Sequence, residues 1–270
     1  MANDAELEQL IEAVRAGSRY AAISPDLVRR LGTKELAKGR PLKEAVKAVR
    51  NKLHQVGGAF QETPIPYARL LSELHSLPSD PSDPALQAFC RRAMLLHAST
   101  RERLPLVERF FSETLANLGP LQSVLDLACG LNPLARLWMP LAPGAAYYAC
   151  DIYADLVAFV AEFLAHTRQP GGAEVCDLLQ GPPPRPVQFA FALKTIPCLE
   201  QVDKQVGLCL LQQVEADAIL VSYPAHSLGG RSKGMVKNYA AAFQEMVAGQ
   251  PWSVQRFDFP GELAFLIHKK

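Results

Sequence analysis

Three acidic residues at the ends of predicted strands, together with one glycine, are the residues of this chain best placed to hold a small ligand. Asp126 and Gly130 lie in the segment VLDLACGLNPLA, whose pattern predicts a strand followed by a tight turn. Asp151 follows Gly130 by 21 residues, and Asp177 ends the next predicted strand. A carboxylate about 20 residues after a glycine turn is placed to accept hydrogen bonds from both hydroxyls of a ribose. The spacing therefore predicts a ligand that contains a nucleoside.

The turn after the first strand favours S-adenosylmethionine over a dinucleotide. The dinucleotide motif G-x-G-x-x-G is absent, and Asn132 and Pro133 replace the second and third glycines of the usual methyltransferase loop. A pyrophosphate needs the close backbone approach that the second glycine allows. S-adenosylmethionine has no phosphate and is less affected by the replacement. In this interpretation Asp151 binds the ribose, and Asp177 with Leu178 meets the edge of the adenine.

The elements that must position these residues alternate between strands and helices. Helical stretches are expected between the first five strands, and Pro260-Gly261 predicts a hairpin between the last two. We expect a parallel sheet covered by helices that ends in an antiparallel hairpin, the α/β, Rossmann-like fold of a class I methyltransferase with seven strands. The predicted strands are Ser123–Ala128, Ala145–Cys150, Ala173–Asp177, Val187–Leu193, Ala218–Tyr223, Ser253–Phe259 and Glu262–His268.

The part of the chain before the sheet predicts short helices with a basic surface. Ser24-Pro25 is typical of a helix start, and a second helix opens at Pro41 and closes at Gly57-Gly58. Residues 15–52 contain 11 basic and 3 acidic side chains, which favours a polyanionic partner. The basic residues of the second helix, expected to contact such a polyanion, are Lys43, Lys47, Arg50 and Lys52.

A proline-rich stretch and a further helix separate this basic part from the sheet. Residues 78–84 contain three prolines, so they can continue neither a helix nor a strand. A helical segment is expected over Ala85–Leu118. We predict two domains, a basic helical docking domain over residues 1–88 and a methyltransferase domain over residues 89–270.

Composition narrows the setting in which the protein works. No apolar run approaches the ~20 residues needed to cross a bilayer, and the acidic N-terminus does not resemble a signal peptide. The six cysteines form no C-x-x-C pair, which argues against a zinc site. Reduced thiols, no metal, no membrane association and a cytoplasmic location are therefore expected.

Five segments make the chain resemble a known enzyme family. The sequence is similar to the Arm/Rmt and Kgm/Sgm-type methyltransferases that modify 16S ribosomal RNA and confer aminoglycoside resistance. The similar segments are LHASTRERL (96–104), VLDLACGLNPLA (124–135), CDI (150–152), FALKTIPCLEQ (191–201) and SLGGRSKGM (227–235), and the helical start is similar too. The resemblance implies methylation of N7 of a decoding-site guanosine in helix 44, on the assembled 30S subunit.

The resemblance also implies roles for individual residues. Arg103 is expected to pair with the methionine carboxylate, because a guanidinium can donate two parallel hydrogen bonds to a carboxylate. On the cofactor side the implied residues also include His97, Ser99, Asp126, Gly130, Asp151, Ile152, Asp177 and Leu178. On the RNA side they are Lys194, Glu200, Arg231 and Lys233, of which Lys194, Glu200 and Arg231 would position the target base.

Methylation at guanine N7 needs no general base, because that nitrogen carries a lone pair and no proton. The enzyme then has to align nitrogen, methyl carbon and sulfur, and exclude water. Two alternatives are another RNA methyltransferase, acting on adenine N1 or on cytosine C5, and a non-catalytic RNA-binding protein with a vestigial cofactor site. Pro197-Cys198 is similar to the nucleophile dipeptide of cytosine-C5 enzymes, although the remaining sequence shows no other part of that pattern.

Overall fold

A computed structural model describes residues 4–57, 60, 63–225 and 234–269. The helices before the sheet are α1 (Asp4–Arg15), α2 (Pro25–Leu36), α3 (Leu42–Val56), α4 (Tyr67–His75), α5 (Pro84–Met94), α6 (Ala98–Arg103) and α7 (Val107–Thr114). The strands are β1 (Leu121–Leu127), β2 (Leu141–Asp151), β3 (Gly171–Val175), β4 (Val187–Leu193), β5 (Ala216–Pro224), β6 (Ser253–Phe259) and β7 (Glu262–His268). The later helices are α8 (Ala154–His166), α9 (Ile196–Leu199), α10 (Val206–Gln213) and α11 (Met235–Val247).

The seven strands form one sheet in the order β3-β2-β1-β4-β5-β7-β6. The first five strands are parallel, whereas β7 runs antiparallel to both β5 and β6. The strand order reverses direction at β1, so the topological switch point lies between β1 and β4. In such sheets ligands bind there, outside the carboxyl ends of the strands. The predicted class I methyltransferase fold is confirmed, including the hairpin at Pro260-Gly261.

Two expectations about the connecting elements are wrong. No helix lies between β3 and β4, because residues 176–186 include Gly181 and four prolines that cannot form a helix interior. The connection from β1 to β2 contains only a 3₁₀ helix, Asn132–Trp138, which has Pro133 in its first turn. The short crossover leaves the end of β1 close to the helices that precede the sheet.

The helical segment expected over residues 85–118 consists of three helices and a 3₁₀ turn. The first break lies between α5 and α6, where the backbone of His97 is extended and the helix cannot continue. There the Thr100 hydroxyl donates to the carbonyls of Met94 and His97, at 2.6 and 3.1 Å, and satisfies acceptors at the end of α5. Pro105 separates α6 from α7, because proline has no N–H to donate.

Helices cover both faces of the sheet, and alternate residues of each strand supply the two cores. Val124 of β1 and Phe191 of β4 belong to one apolar cluster, while Leu125 and Ala190 belong to the other. The first cluster continues without a break into α1, α2 and α3 through Leu10, Val28 and Val49. The basic helices therefore pack on the same core as the sheet.

The backbone of the N-terminal part is also bonded directly to the loop that follows β2. Ser24 N–H donates to the carbonyl of Ile152 at 3.0 Å, and Ala154 N–H donates to the carbonyl of Ala22 at 2.8 Å. Ser24 takes the predicted N-cap position of α2, although its side chain makes no capping hydrogen bond there. These two bonds hold the start of α2 beside Asp151.

Candidate functional site: a cavity at the carboxyl ends of the strands

The turn after β1 depends on Gly130, for a reason that the sequence does not reveal. Its φ of 50° lies in the left-handed region, and a Cβ there would come within 2.7 Å of the His97 ring. The glycine therefore lets the loop approach His97, the residue that precedes α6. Ala128 also has a positive φ, of 49°.

Asp151 is held by the backbone of its own surroundings. Gly130 N–H donates to Oδ2 at 3.0 Å, and the N–H groups of Ile152 and Tyr153 donate to Oδ1 at 2.7 and 3.4 Å. Burial nevertheless raises the pKa of Asp151, since it outweighs these three hydrogen bonds. The carboxylate joins the ends of β1 and β2 and remains in the wall of the cavity.

Asp177 lies two residues beyond the end of β3, and one of its partners comes from a distant part of the sequence. Its Oδ1 accepts a hydrogen bond from Leu179 N–H at 3.1 Å, and its Oδ2 forms an ion pair with Arg30 of α2. Arg30 was not among the residues that the sequence pointed to, because nothing in its local pattern distinguishes it from the other basic residues of the N-terminal helices.

A buried polar network lies behind the loop after β1. Asp126 Oδ2 accepts hydrogen bonds from the Tyr147 hydroxyl at 2.7 Å and from Asn132 Nδ2 at 2.9 Å. Arg103 donates to Asn132 Oδ1 at 3.0 Å and makes a two-point contact with Glu262, with Nη2 2.6 Å from Oε1 and Nε 3.1 Å from Oε2. We call Asp126, Asn132, Tyr147, Arg103 and Glu262 the buried network.

Burial sets the protonation of this network. It raises the pKa of Asp126 to about 7, against the lowering effect of the Tyr147 and Asn132 hydrogen bonds. The pKa of Glu262 is lowered despite burial, because Arg103 and Lys194 lie beside it. Sequence reasoning missed Glu262, although a carboxylate that opens an otherwise apolar strand after Pro260-Gly261 was an available signal. It also treated Asn132 as a departure from the glycine pattern rather than as a bridge.

Lys194 connects the buried network to the cavity. Its side chain is only 2% exposed, its φ is 57°, and its Nζ forms ion pairs with Glu102 and, at 3.6 Å, with Glu262. Its backbone N–H donates to both the carbonyl and the hydroxyl of Ser222, each at 3.0 Å. Glu200 lies at the end of α9, where burial raises the pKa of its carboxyl.

The His97 ring stacks on Phe60, with ring centroids 5.8 Å apart and planes 8° from parallel. Burial, with Lys194 and Arg103 nearby, lowers the pKa of His97 to about 4. The ring is therefore neutral at pH 7. Burial also raises the pKa of Cys198, which lines the same cavity, to about 12. A neutral thiol is a poor nucleophile, so this environment does not favour the covalent cytosine-C5 mechanism.

These elements surround a cleft that is open to solvent at the carboxyl ends of the strands. The predicted residues that line it are His97, Ser99, Asp151, Ile152, Asp177, Leu178 and Lys194. Four others, Arg103, Asp126, Gly130 and Glu200, are not in the described lining. Val56, Gly57 and Phe60 of the N-terminal part complete the wall and were not predicted. The described residues contain no cluster of metal ligands.

The predicted phosphate-binding residues of α3 have different surroundings. Lys43 and Lys47 are exposed. Arg50 donates to the carbonyl of Ala13. Lys52 lies 2.8 Å from the buried carboxylate of Glu35, and Lys52 and Lys38 together lower the pKa of Glu35 to about 2 despite its burial. Arg231 and Lys233 lie outside the described residues, as does most of the segment SLGGRSKGM. No helix in the described ranges is long and apolar enough to span a bilayer.

A seven-stranded sheet of this order, with a cleft lined by Asp151 and Asp177 at its switch point, defines a class I methyltransferase. A family model described as "Ribosomal RNA methyltransferase (FmrO)" matches residues 16–266, and the chain belongs to that family. It is 37% identical to a protein from Micromonospora echinospora and 31% identical to one from Serratia marcescens. The first alignment covers 97% of both chains, and the second covers 97% of this chain and 98% of the relative. Both relatives are named 16S rRNA (guanine(1405)-N(7))-methyltransferase.

Solved structures agree with this assignment over the whole chain. The 16S rRNA methyltransferase RmtF, in complex with S-adenosyl-L-homocysteine, superimposes with a TM-score of 0.86 at 32% identity and covers 100% of each chain. The 16S rRNA methylase RmtB gives a TM-score of 0.81 at 27% identity over 98% of each chain. The resemblance stated from the sequence is thereby confirmed.

Proposed function

We propose that this protein transfers a methyl group from S-adenosylmethionine to N7 of guanosine 1405 in the 16S rRNA of the assembled 30S subunit, and so confers aminoglycoside resistance. The observation that carries the proposal is full-length similarity to relatives that are all named for this reaction, at up to 37% identity. The cavity supplies the second support, because it lies where a class I methyltransferase binds its cofactor.

The side chains that line the cavity suit an adenosyl group in their chemistry. Asp151 has both oxygens anchored by backbone N–H groups and keeps lone pairs for ribose hydroxyls. Leu178 offers an apolar surface to the adenine, and Asp177 offers an acceptor to its amino group. His97 Nδ1 is a buried nitrogen without a hydrogen-bond partner among the described residues, and its ring lines the cavity. When bound, the cofactor supplies a methyl group already activated on a sulfonium.

The protein's own residues then have to align the reactants rather than move a proton. His97, with its pKa lowered to about 4, is a weak base, in agreement with a target nitrogen that carries no proton. Lys194 and Glu200 are proposed to position the guanine at the mouth of the cavity, with Arg231. Arg103 is proposed to bind the methionine end of the cofactor. Its ion pair with Glu262 fixes the orientation of the guanidinium. In helical RNA the N7 edge lies in a deep, narrow groove, so we expect the base to be distorted or flipped.

The basic helices are proposed to dock the enzyme on the subunit by phosphate contacts that do not read sequence. Lys43 and Lys47, exposed on α3, are the foremost candidates, with Arg50, Lys52 and Lys233 as further ones. The division into a docking domain over residues 1–88 and a methyltransferase domain over residues 89–270 belongs to this proposal. A cytoplasmic location follows from the proposed substrate.

A growth assay tests the biological part of the proposal. Cells that express the chain are expected to grow on kanamycin and gentamicin, whereas cells that express Asp151→Asn are not. Labelled methyl transfer with purified 30S subunits and with free 16S rRNA tests the substrate. Label on the subunit alone supports the proposal. Cofactor binding without any transfer would support instead the non-catalytic RNA-binding alternative.

A further inference from the structure

The two carboxylates that flank the adenosyl position of the cavity are held in different ways. Asp151 accepts hydrogen bonds from three backbone N–H groups near the ends of β1 and β2. Asp177 accepts one backbone hydrogen bond, from Leu179, and its other oxygen faces the guanidinium of Arg30. Arg30 lies 147 residues away in the sequence, on α2, among the basic N-terminal helices.

Arg30 and its neighbour Arg29 have opposite environments on the same helix. The Arg30 side chain is 22% exposed and its partner Asp177 is 12% exposed. The Arg29 side chain is 46% exposed and its partner, Glu8, is 53% exposed. Exposed ion pairs contribute little, whereas removing one partner of a largely buried pair leaves an uncompensated charge. Loss of Arg30 would therefore leave the largely buried Asp177 carboxylate without a compensating charge, whereas loss of Arg29 would leave Glu8 in contact with water.

The position of α2 is fixed at its start as well as at Arg30. The backbone bonds from Ser24 to Ile152 and from Ala154 to Ala22 attach the start of the helix beside Asp151. Five residues after the start of α2, Arg30 reaches Asp177 beyond β3. One helix of the N-terminal part thus contacts the loops that carry both carboxylates of the cavity.

Binding of an adenosyl group removes water from Asp177. An isolated carboxylate loses hydration free energy when it is covered, and a neighbouring cation offsets that loss. The pair also restricts the carboxylate to one orientation, which leaves its remaining lone pairs aimed at a ligand. Both effects favour binding at the adenine end without any contact between Arg30 and the ligand.

We propose that Arg30 is a positioning residue of the cofactor site, which acts through Asp177 and allows the N-terminal helices to set the affinity for the adenine end. This inference rests on the proposed function, since it takes the ligand to be S-adenosylmethionine. It assigns α2 a role in cofactor binding in addition to any role in docking.

The test measures binding of S-adenosylhomocysteine to the full chain by calorimetry, with Arg29→Ala as the matched control. Arg30→Ala is expected to weaken binding about tenfold, because a partly buried carboxylate loses its partner. Arg29→Ala is expected to stay within about twofold of the parent. Arg30→Lys should recover part of the loss, since it restores the charge but not the planar fork of donors. In an Asp177→Asn background, Arg30→Ala should have no further effect.

Kinetics separate positioning from a merely structural role. Arg30→Ala should raise the KM for S-adenosylmethionine while kcat at saturating cofactor stays unchanged. Equal affinity for Arg30→Ala and Arg29→Ala would overturn the inference, as would full additivity with Asp177→Asn. If Arg30→Ala fails to fold, affinity of Arg30→Lys equal to that of the parent overturns it and a loss supports it. A parent that binds no S-adenosylhomocysteine would contradict the proposed function and this inference with it.

Discussion

The residues expected to bind the cofactor divide into two regions, the cavity wall and the buried network behind it. Asp151 and Asp177 line the cavity, whereas Arg103 and Asp126 are absent from its described lining and bond to other side chains of the network. All four are charged residues in the segments that the sequence singled out. The difference shows that an ionisable side chain beside the cavity can have one of two roles: it can bind a ligand, or it can fix the loops that bind the ligand.

Glu262→Ala should give the largest effect, because it breaks the buried network. Arg103 loses its two-point partner and Lys194 loses a nearby carboxylate. Breaking a buried ion pair by removing one partner costs about 3–5 kcal/mol of unfolding free energy. Urea unfolding measures this change, and the exposed pair member Glu113→Ala is the control. A change below about 1 kcal/mol, the range of exposed ion pairs, would show that the network does not stabilise the fold.

Asp151→Asn should act mainly on the cavity wall. A carboxylate that accepts two ribose hydroxyls contributes about 3 kcal/mol, which corresponds to roughly a hundredfold loss of affinity for S-adenosylhomocysteine. Asp155→Asn, an exposed change in the first turn of α8, is the matched control. Calorimetry on both variants checks the expectation. Equal affinities would remove Asp151 from the proposed site.

Asp126→Asn should have a smaller effect, visible as a change in pH dependence. The folded-state pKa of Asp126 is about 7 and its ordinary value is 3.8. Between these values the folded state holds a proton that the unfolded state has lost, so this residue makes stability fall as pH rises from about 4 to about 7. An amide oxygen can still accept from both Tyr147 and Asn132, so the variant should retain the fold and lose that contribution. Unfolding free energies at pH 5 and pH 7 measure it, and an unchanged slope would contradict it.

Charge reversal at Lys43 and Lys47 should affect neither region. Loss of two phosphate contacts is expected to weaken 30S binding about tenfold or more, with a smaller salt dependence. Affinity for S-adenosylhomocysteine and the free energy of unfolding should not change. Filter binding across a salt series checks the first expectation. Equal loss of cofactor affinity would show that these lysines belong to the cavity rather than to a docking surface.

The sequence predicted the sheet well because each strand carries its own local signal. Val187–Leu193 and both hairpin strands have the predicted bounds, and the other four differ by one to four residues at an end. It failed at the β3–β4 connection, where alternation suggested a helix and the prolines of 182–186 prevent one. Strand alternation is a pattern over many residues, whereas proline acts on individual hydrogen bonds.

The sequence could predict only those site residues whose position follows from the pattern of their own segment. Asp151 was identifiable because its distance from Gly130 reflects one strand–turn–strand unit. Arg30, Phe60 and Glu262 contribute through contacts that join distant parts of the chain. A single sequence does not show which distant residues pair, because neither partner has a local pattern that requires the other, even where one of them, such as Glu262, stands out in its own strand.

The most direct test of the account is the position of the transferred methyl group. Purified 30S subunits are treated with the protein and S-adenosylmethionine, and nuclease fragments of the 16S rRNA are analysed by mass spectrometry beside an Asp151→Asn control. The account predicts one 7-methylguanosine, at guanosine 1405, with parent protein only. A methyl group on adenine N1 or cytosine C5, or on a different guanosine, would contradict it.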